Sequence, residues 1–321
     1  MHRRRVLCHR LADGAQEVKY TVVLTAEYPP IAREILSREF DVIQHPTEHE
    51  RSEDDVITLL SEADAAMTLL SDPLTRRVLA ANPNLRIVAN YAVGYNNIDV
   101  AAARELGIVV TNTPGVLTEA TADMTIALML AVMRRVVEGD SEVRRTGRCI
   151  WEPLHMLGVG LQGKRLGIIG IGRIGSAVAT RARAFGMHVI GTRRGDALDE
   201  LLATSDVISI HVPLHAGTRH LIDARALARM KRGAFIVNTA RGAIIDESAL
   251  CDALASGHLG GAALDVYEDE PAVNPRLLAI PNVVLAPHIG SATFETRSAM
   301  AATAATDIAR FLRGAPPLHP V

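Results

Sequence analysis

Cysteine is scarce. The 321-residue chain has three, Cys8, Cys149 and Cys251, far apart and outside any CxxC or histidine-rich cluster. An odd, scattered set excludes a disulfide framework and gives no zinc-ligand spacing, so no metal is expected and a reducing, cytoplasmic setting fits. A charge excess is lacking as well: the formal net charge is −2, and only three of the 34 basic residues are lysines. No positive field therefore points to nucleic acid. Long apolar runs are also missing. Residues 124–133 form the longest, bounded by Asp123 and Arg134, well short of the roughly 20 residues a membrane helix needs. That run predicts a buried helix and no membrane partner. The opening Met1-His-Arg-Arg-Arg is basic but no secretory apolar core of about 7–15 residues follows it. Residues 1–20 are expected to be a disordered extension, with a transit peptide as the alternative. No internal repeat or low-complexity tract occurs.

What is present is a globular mixture, 48% apolar and 22% charged, long enough for two domains with separate cores. Strand-like runs at 21–25, 41–44, 65–69 and 85–90 alternate with helix-like runs at 31–39, 54–60 and 75–81, a small β/α unit. Residues 100–106 read as a helix stopped by Gly107, and 108–111 as a strand leading into a crossing at Asn112-Thr-Pro-Gly115. Residues 118–137, rich in Ala, Leu and Met, predict one helix packed on both sides. Past an irregular segment at 151–163, strands are expected at 164–169, 187–191, 207–212, 235–238, 262–266 and 283–286, mostly separated by helical patterns. That is a doubly wound α/β domain. A helix at 296–312 offers an Ala-rich face to the first domain.

At the end of the strand-like 164–169 stands Gly170-Ile-Gly172-Arg173-Ile174-Gly175. Glycines let a backbone approach a pyrophosphate, and the helix that follows offers unpaired N–H groups and a favourable dipole. Ile174, Val178 and Phe185 recur at helical spacing until Gly186, the context that gives a bare GxGxxG meaning. In such units a carboxylate about 20 residues on holds the ribose hydroxyl of NAD, whereas arginine accommodates the 2′-phosphate of NADP. Here the next strand ends in Thr192-Arg193-Arg194, so NADP(H) is expected to be preferred, with NAD(H) still open. Only three residues separate Arg194 from the next helix-like run, too few for another βα step, so the sheet is expected to lack its outermost third strand.

Ligands of open α/β sheets bind beyond the carboxyl ends of strands. Three successive strand ends run into Thr239-Ala240-Arg241, Tyr267-Glu-Asp-Glu270-Pro271 and Pro287-His288-Ile-Gly290. An arginine, a carboxylate and a histidine at one rim suit hydride exchange with a 2-oxo acid. Arg241 can pair with the substrate carboxylate and polarise the carbonyl, His288 can give the alkoxide its proton, and Glu270 can hold the imidazole. His211, in the strand end Ile210-His211-Val212-Pro213, is read instead as lining the cofactor.

Six blocks together, Asn90-Tyr-Ala-Val-Gly-Tyr-Asn-Asn-Ile-Asp99, Thr111-Asn-Thr-Pro-Gly-Val-Leu-Thr118, Gly170 to Gly175, Asn238-Thr-Ala-Arg-Gly242, Leu264-Asp-Val-Tyr-Glu-Asp-Glu-Pro271 and Pro287-His-Ile-Gly-Ser-Ala292, resemble the D-isomer-specific 2-hydroxyacid dehydrogenases. Within them, the first and last blocks and Trp151-Glu-Pro153 are most similar to glyoxylate/hydroxypyruvate reductases. The resemblance implies catalytic roles for Arg241, Glu270 and His288, a substrate carboxylate on the Val93-Gly94 backbone, Asp265 facing the nicotinamide amide, and Thr239, Ala240 and Gly290 lining the cofactor. It also implies a dimerisation arm over 118–163, with Trp151 reaching the neighbouring subunit's active site.

The expected architecture is two Rossmann-like doubly wound domains. An NAD(P)-binding domain over 114–296 is inserted into a flavodoxin-like substrate domain made of 21–113 and 297–321, with a hinged cleft. The expected function is NAD(P)H-dependent reduction of glyoxylate or hydroxypyruvate by a homodimer. The alternatives are another 2-oxo acid, of 2-ketogluconate or D-lactate type, chosen by loops around Ser71, Val93 and Trp151, a dinucleotide-sensing regulator, or a methyl-donor nucleotide site.

Overall fold

The computed structural model describes residues 19–48, 50–193, 195 and 198–321. It divides into two compact units, one from the chain up to Val116 and again from Phe294 onward, the other Leu117–Thr293.

The first unit alternates β1 (Thr21–Leu24), α1 (Ile31–Leu36), β2 (Asp41–Gln44), α2 (Glu53–Leu59), β3 (Ala65–Thr68), α3 (Arg76–Ala81), β4 (Ile87–Asn90), α4 (Val100–Leu106) and β5 (Val109–Thr111). Its parallel sheet has the order β2-β1-β3-β4-β5, the flavodoxin-like arrangement. Strands β3 and β4 are buried at every position, as expected of central parallel strands covered on both faces. Local signals fix the helix ends. Ser52 and Asp55 exchange side-chain and backbone bonds in a capping box at α2. Asp99 caps α4 through the Ala102 N–H (2.9 Å), and Gly107 ends it at φ 75°. The closing helix Phe294–Leu312 belongs to this unit. The buried face of that helix carries Ala301, Ala304, Ala305 and Ala309 with Met300, Ile308 and Leu312.

The second unit contains α5 (Thr118–Met133), α6 (Val136–Thr146), β6 (Arg165–Ile169), α7 (Arg173–Ala184), β7 (His188–Thr192), α8 (Asp199–Thr204), β8 (Val207–Ile210), α9 (Ala224–Arg229), β9 (Phe235–Asn238), α10 (Glu247–Ala255), β10 (Gly261–Leu264), α11 (Pro275–Leu278) and β11 (Val283–Leu285). Its parallel sheet runs β11-β10-β9-β8-β6-β7. Strand β7 is the edge, and among the described residues no third strand lies beyond it. Strand β6 sits between β7 and β8, the switch point where open sheets bind ligands. Alternate residues feed two apolar cores: Ile169, Ile208, Ile210, Ile236 and Leu264 enter one, while Ile168, Val207, Val237 and Ala263 enter the other with α5 and α7. That is the period-two pattern of a sheet covered on both sides.

One expectation is corrected. The run 118–137 is not a single helix: α5 stops at Met133, Arg135 takes a left-handed conformation (φ 56°), and α6 starts anew without a buried residue. The cause lies 26 residues downstream, where Val159 N–H donates to the Met133 carbonyl (2.8 Å) and so ends the helix from outside. Gly158 permits the approach, since a Cβ there would lie 2.5 Å from that same oxygen. Among the described residues, no helix is long and apolar enough to cross a membrane.

Candidate active site

The site grows from the carboxyl ends of β6, β8, β9, β10 and β11. At β6 the turn Gly170–Gly175 is shaped by contact. Gly170 has φ 99°, and a Cβ on it would meet the His211 carbonyl at 2.7 Å; one on Gly175 would meet the Gly170 oxygen at 2.2 Å. Those two glycines let the turn fold back on β6 and β8. Gly172 differs. It caps α7, and among the described residues nothing lies within 4 Å of a Cβ placed there, which suits the close approach of a ligand. Arg173 and Ile174 open α7, whose first N–H groups face the turn. The Thr192 carbonyl accepts from both Gly170 N–H (3.1 Å) and Ile171 N–H (3.0 Å), tying the β7 end to the turn. The turn is a cradle that fits a dinucleotide pyrophosphate. Arg193 follows β7 and is exposed; Arg194 lies outside the described residues.

The expected strand through 212 ends at Ile210, leaving His211, Val212 and Pro213 in the loop beside the glycine turn. His211 Nε2 is bonded to Ser209 Oγ (2.8 Å). Burial pushes its pKa down to about 4, so the ring is neutral at physiological pH.

After β9, Asn238 turns the chain. Its Nδ2 donates to the Arg241 carbonyl (2.8 Å) and its Oδ1 accepts from Ala240 N–H (3.0 Å). Thr239 Oγ1 reaches Thr125 Oγ1 on α5 (2.9 Å). Arg241 Nη1 donates to the Ala240 carbonyl (2.7 Å). Burial lowers the Arg241 pKa and the charge of Glu270 opposes it; a guanidinium in that field remains a cation. The next residue, Gly242, lies so close to the following loop that a Cβ would sit 1.8 Å from the Tyr267 carbonyl carbon and 2.3 Å from Glu268 N.

That following loop carries the acid. Glu270 Oε1 accepts from Tyr267 N–H (2.9 Å), and Oε2 pairs with His288 Nδ1 (2.8 Å). Burial raises the Glu270 pKa, but the bond and charge of His288, the Tyr267 amide and Arg241 outweigh it and hold the carboxyl below its ordinary range. Tyr267 Oη donates to the Ala286 carbonyl (2.9 Å), bridging the β10 and β11 ends. Glu247 ties the loop from behind by accepting from Glu268 N–H (2.6 Å).

His288 has φ 55°, a left-handed conformation that a non-glycine residue rarely adopts. The buried Asp265 holds it there: Oδ1 accepts from Ile289 N–H (2.8 Å) and Oδ2 from Gly290 N–H (2.7 Å). Burial raises the Asp265 pKa, against the lowering effect of those amides and of His288. The loops after β9, β10 and β11 thus form one tied assembly, with Glu270 bonded to His288 and within electrostatic reach of Arg241. Chemically, a cation, a carboxylate and the imidazole it orients can bind an anionic substrate and move a proton.

The other expected site residues lie elsewhere in the chain. Val93 and Gly94 follow β4 in the first unit. Trp151, 86% exposed, follows α6 in the second. Sequence reasoning missed Ser209, Asn238, Gly242, Glu247 and Tyr267. Of these Asn238, Gly242 and Tyr267 carried a signal, as the polar strand end, the glycine flanking Arg241 and the first residue after the strand expected at 262–266. Among the described residues no group of three or more His, Cys, Asp or Glu is placed to hold a metal ion.

A parallel α/β unit with a glycine turn at its switch point and an Arg, a Glu and a His at neighbouring strand ends defines a dinucleotide-dependent oxidoreductase. Comparison with known proteins places it further. The model for the NAD-binding domain of D-isomer specific 2-hydroxyacid dehydrogenases matches residues 126–290. The glyoxylate reductase of Aeropyrum pernix is 49% identical over 318 residues, covering 92% of this chain and 94% of that protein; the one from Thermococcus litoralis is 49% identical over 270 residues, covering 79% and 82%. Among solved structures, the NADPH-dependent glyoxylate/hydroxypyruvate reductase of Sinorhizobium meliloti, in complex with NADP and malonate, has a TM-score of 0.83 at 32% identity over 95% of this chain and 97% of that one. The chain belongs to the D-isomer specific 2-hydroxyacid dehydrogenase family.

Proposed function

We propose that this protein reduces glyoxylate and hydroxypyruvate to their 2-hydroxy acids, the D isomer in the case of the chiral product from hydroxypyruvate, using NADPH in preference to NADH, as a cytosolic homodimer. The observation that carries the reading is the 2.8 Å pair between His288 Nδ1 and Glu270, set within the field of Arg241. With Nδ1 committed to the carboxylate, Nε2 is the nitrogen that faces substrate. His288 delivers its proton to the oxygen of the reduced carbonyl, and Glu270, held ionised, stabilises the imidazolium before transfer. Arg241 binds the substrate's carboxylate end and polarises the adjacent carbonyl, a task suited to a planar guanidinium. The backbone of Val93 and Gly94 receives the same carboxylate, and Trp151 contributes to the neighbouring subunit's substrate site.

The residues fit a nicotinamide dinucleotide, which when bound supplies the hydride. Gly170, Gly172, Arg173, Ile174 and Gly175 hold its pyrophosphate. His211, Val212, Pro213, Thr239, Ala240, Asp265 and Gly290 line the rest. The absence of an acid at the end of β7, where Thr192 is followed by Arg193, supports NADPH. Dimerisation is supported by the exposed apolar residues of α6 and the segment after it, Val136, Val137, Val143, Ile150, Trp151 and Leu154.

The test crosses NADPH and NADH with glyoxylate, hydroxypyruvate, pyruvate and 2-ketogluconate in steady-state assays. The highest kcat/KM is expected for NADPH with the first two acids. A tenfold preference for NADH, about 1.4 kcal/mol, removes the cofactor assignment. Absence of oxidation with every acid replaces the enzyme with a dinucleotide sensor.

A further inference from the structure

The turn Ala92-Val93-Gly94 has an unusual pattern of bonding. Each of its three consecutive carbonyls is taken by a donor from the protein. The Ala92 oxygen accepts from Thr113 N–H (3.0 Å), the Val93 oxygen from Asn112 Nδ2 (2.8 Å) and the Gly94 oxygen from Asn90 Nδ2 (2.8 Å). A trans peptide is planar, with its C=O and the next N–H pointing in opposite directions. Fixing three carbonyls therefore fixes the directions of the Val93, Gly94 and Tyr95 N–H groups, opposite to their anchors. None of those three N–H groups has a hydrogen-bond partner among the described residues. Successive backbone N–H groups aimed one way form an anion-binding concavity.

The two asparagines are themselves held. Asn90, fully buried at the end of β4, has its Oδ1 facing Asn97 Nδ2 (3.4 Å). That same Nδ2 also donates to the carbonyls of Leu69 (3.2 Å) and Asp72 (3.1 Å). Asp72 is buried in turn, accepting from Leu69 N–H (2.8 Å), Thr25 Oγ1 (2.6 Å) and Arg51 Nη1 (3.2 Å). Asn112 is 9% exposed, and its own N–H donates to the His319 carbonyl (3.2 Å). Both carboxamides therefore reach the turn from an ordered network, and neither side chain is spent on a regular secondary-structure bond.

We infer that Asn90 and Asn112 are positioning residues that aim the Val93–Tyr95 amides at the carboxylate of a 2-oxo or 2-hydroxy acid. This deepens the proposed function and rests on its assignment of the substrate carboxylate to Val93 and Gly94. A side chain that merely stabilised the loop could be replaced at the cost of stability alone. One that aims the amides sets affinity for the anionic end of the substrate.

The experiment uses the full chain saturated with NADPH and oxamate, a non-reducible analogue of a 2-oxo acid. In wild type carrying 15N-glycine, oxamate is expected to move the Gly94 amide proton downfield. In Asn112→Ala, oxamate affinity is expected to fall and KM for glyoxylate to rise about tenfold, with a far smaller change in kcat and unchanged NADPH affinity. Asn90→Ala is expected to act likewise, and Asn112 carries the test alone if the buried Asn90 variant fails to fold. Asn112→Asp retains a donor only while protonated. Its KM relative to wild type is therefore expected to fall as pH drops from 8 to 5, a readout that a stability effect does not reproduce. If folded Asn112→Ala binds oxamate as wild type does while the Gly94 amide still moves, the positioning role is wrong and the carboxylate site stands. If the Gly94 amide does not respond to oxamate in wild type, the carboxylate site is wrong and the inference falls with it.

Discussion

Gly242→Ala is the smallest change that separates the loops bearing Arg241 and Glu270. The added Cβ would stand 1.8 Å from the Tyr267 carbonyl carbon, 2.0 Å from its oxygen and 2.3 Å from Glu268 N. All three are backbone atoms, so no side chain can swing aside. Restoring ordinary carbon contact needs the two loops to part by about 1.5 Å. Tyr267 cannot yield freely, because its hydroxyl is bonded to Ala286 and its amide to Glu270. Overpacking of this kind costs about 1–3 kcal/mol or more. A misplacement of about 1 Å in a catalytic constellation can lower turnover about a hundredfold. Gly242→Ala is therefore expected to lose at least about 2 kcal/mol in denaturant unfolding and about two orders of magnitude in kcat/KM for glyoxylate with NADPH. Gly139→Ala is the control, since among the described residues nothing lies within 4 Å of a Cβ added there. A Gly242→Ala protein with wild-type stability and turnover within threefold would refute the idea that the two loops are set by this contact.

Asp265→Asn leaves one acceptor oxygen where two amides now donate, and turns an N–H donor against one of them. A loss of about 1–3 kcal/mol is expected, with kcat/KM reduced at least tenfold as His288 relaxes from its left-handed conformation; chemical denaturation and steady-state assays check both, and unchanged values would contradict the role given to Asp265. For His211, folding lowers the pKa from 6.5 to about 4. In that window the unfolded chain binds more protons than the folded one, so stability present above pH 6.5 is lost as pH falls toward 4. His211→Gln lacks this contribution, and its thermal midpoint is expected to fall less steeply with acid than that of wild type; parallel curves would count against a neutral His211.

The sheets were legible because strands β2 and β9 and helix α4 are short and bounded by turn residues, and β9 and α4 are patterned for burial, so local chemistry goes far toward deciding such elements. The convergence of Arg241, Glu270 and His288 could be read from the order of the strands, since consecutive parallel strands bring their carboxyl ends to one rim. The end of α5 could not. It depends on Val159 and Gly158, far along the chain, meeting the Met133 carbonyl. The same holds for Gly242, whose need to be glycine comes from the backbone of a loop 25 residues later. Ser209 gave no sign of its bond to His211 because strand periodicity reports only that it is buried. The donors that fix the Val93 and Gly94 carbonyls, Asn90 and Asn112, read as a strand end and a turn residue, since hydrogen-bond partners at a distance leave no trace in composition or spacing.

The most direct measurement is kcat/KM for hydroxypyruvate with NADPH in wild type and His288→Ala, alongside NADPH affinity by fluorescence. If His288 supplies the proton from its seat on Glu270, the variant loses about 10²- to 10⁴-fold in kcat/KM, binds NADPH as before, and wild type yields the D-hydroxy acid. Turnover within threefold of wild type in a folded His288→Ala protein would contradict it.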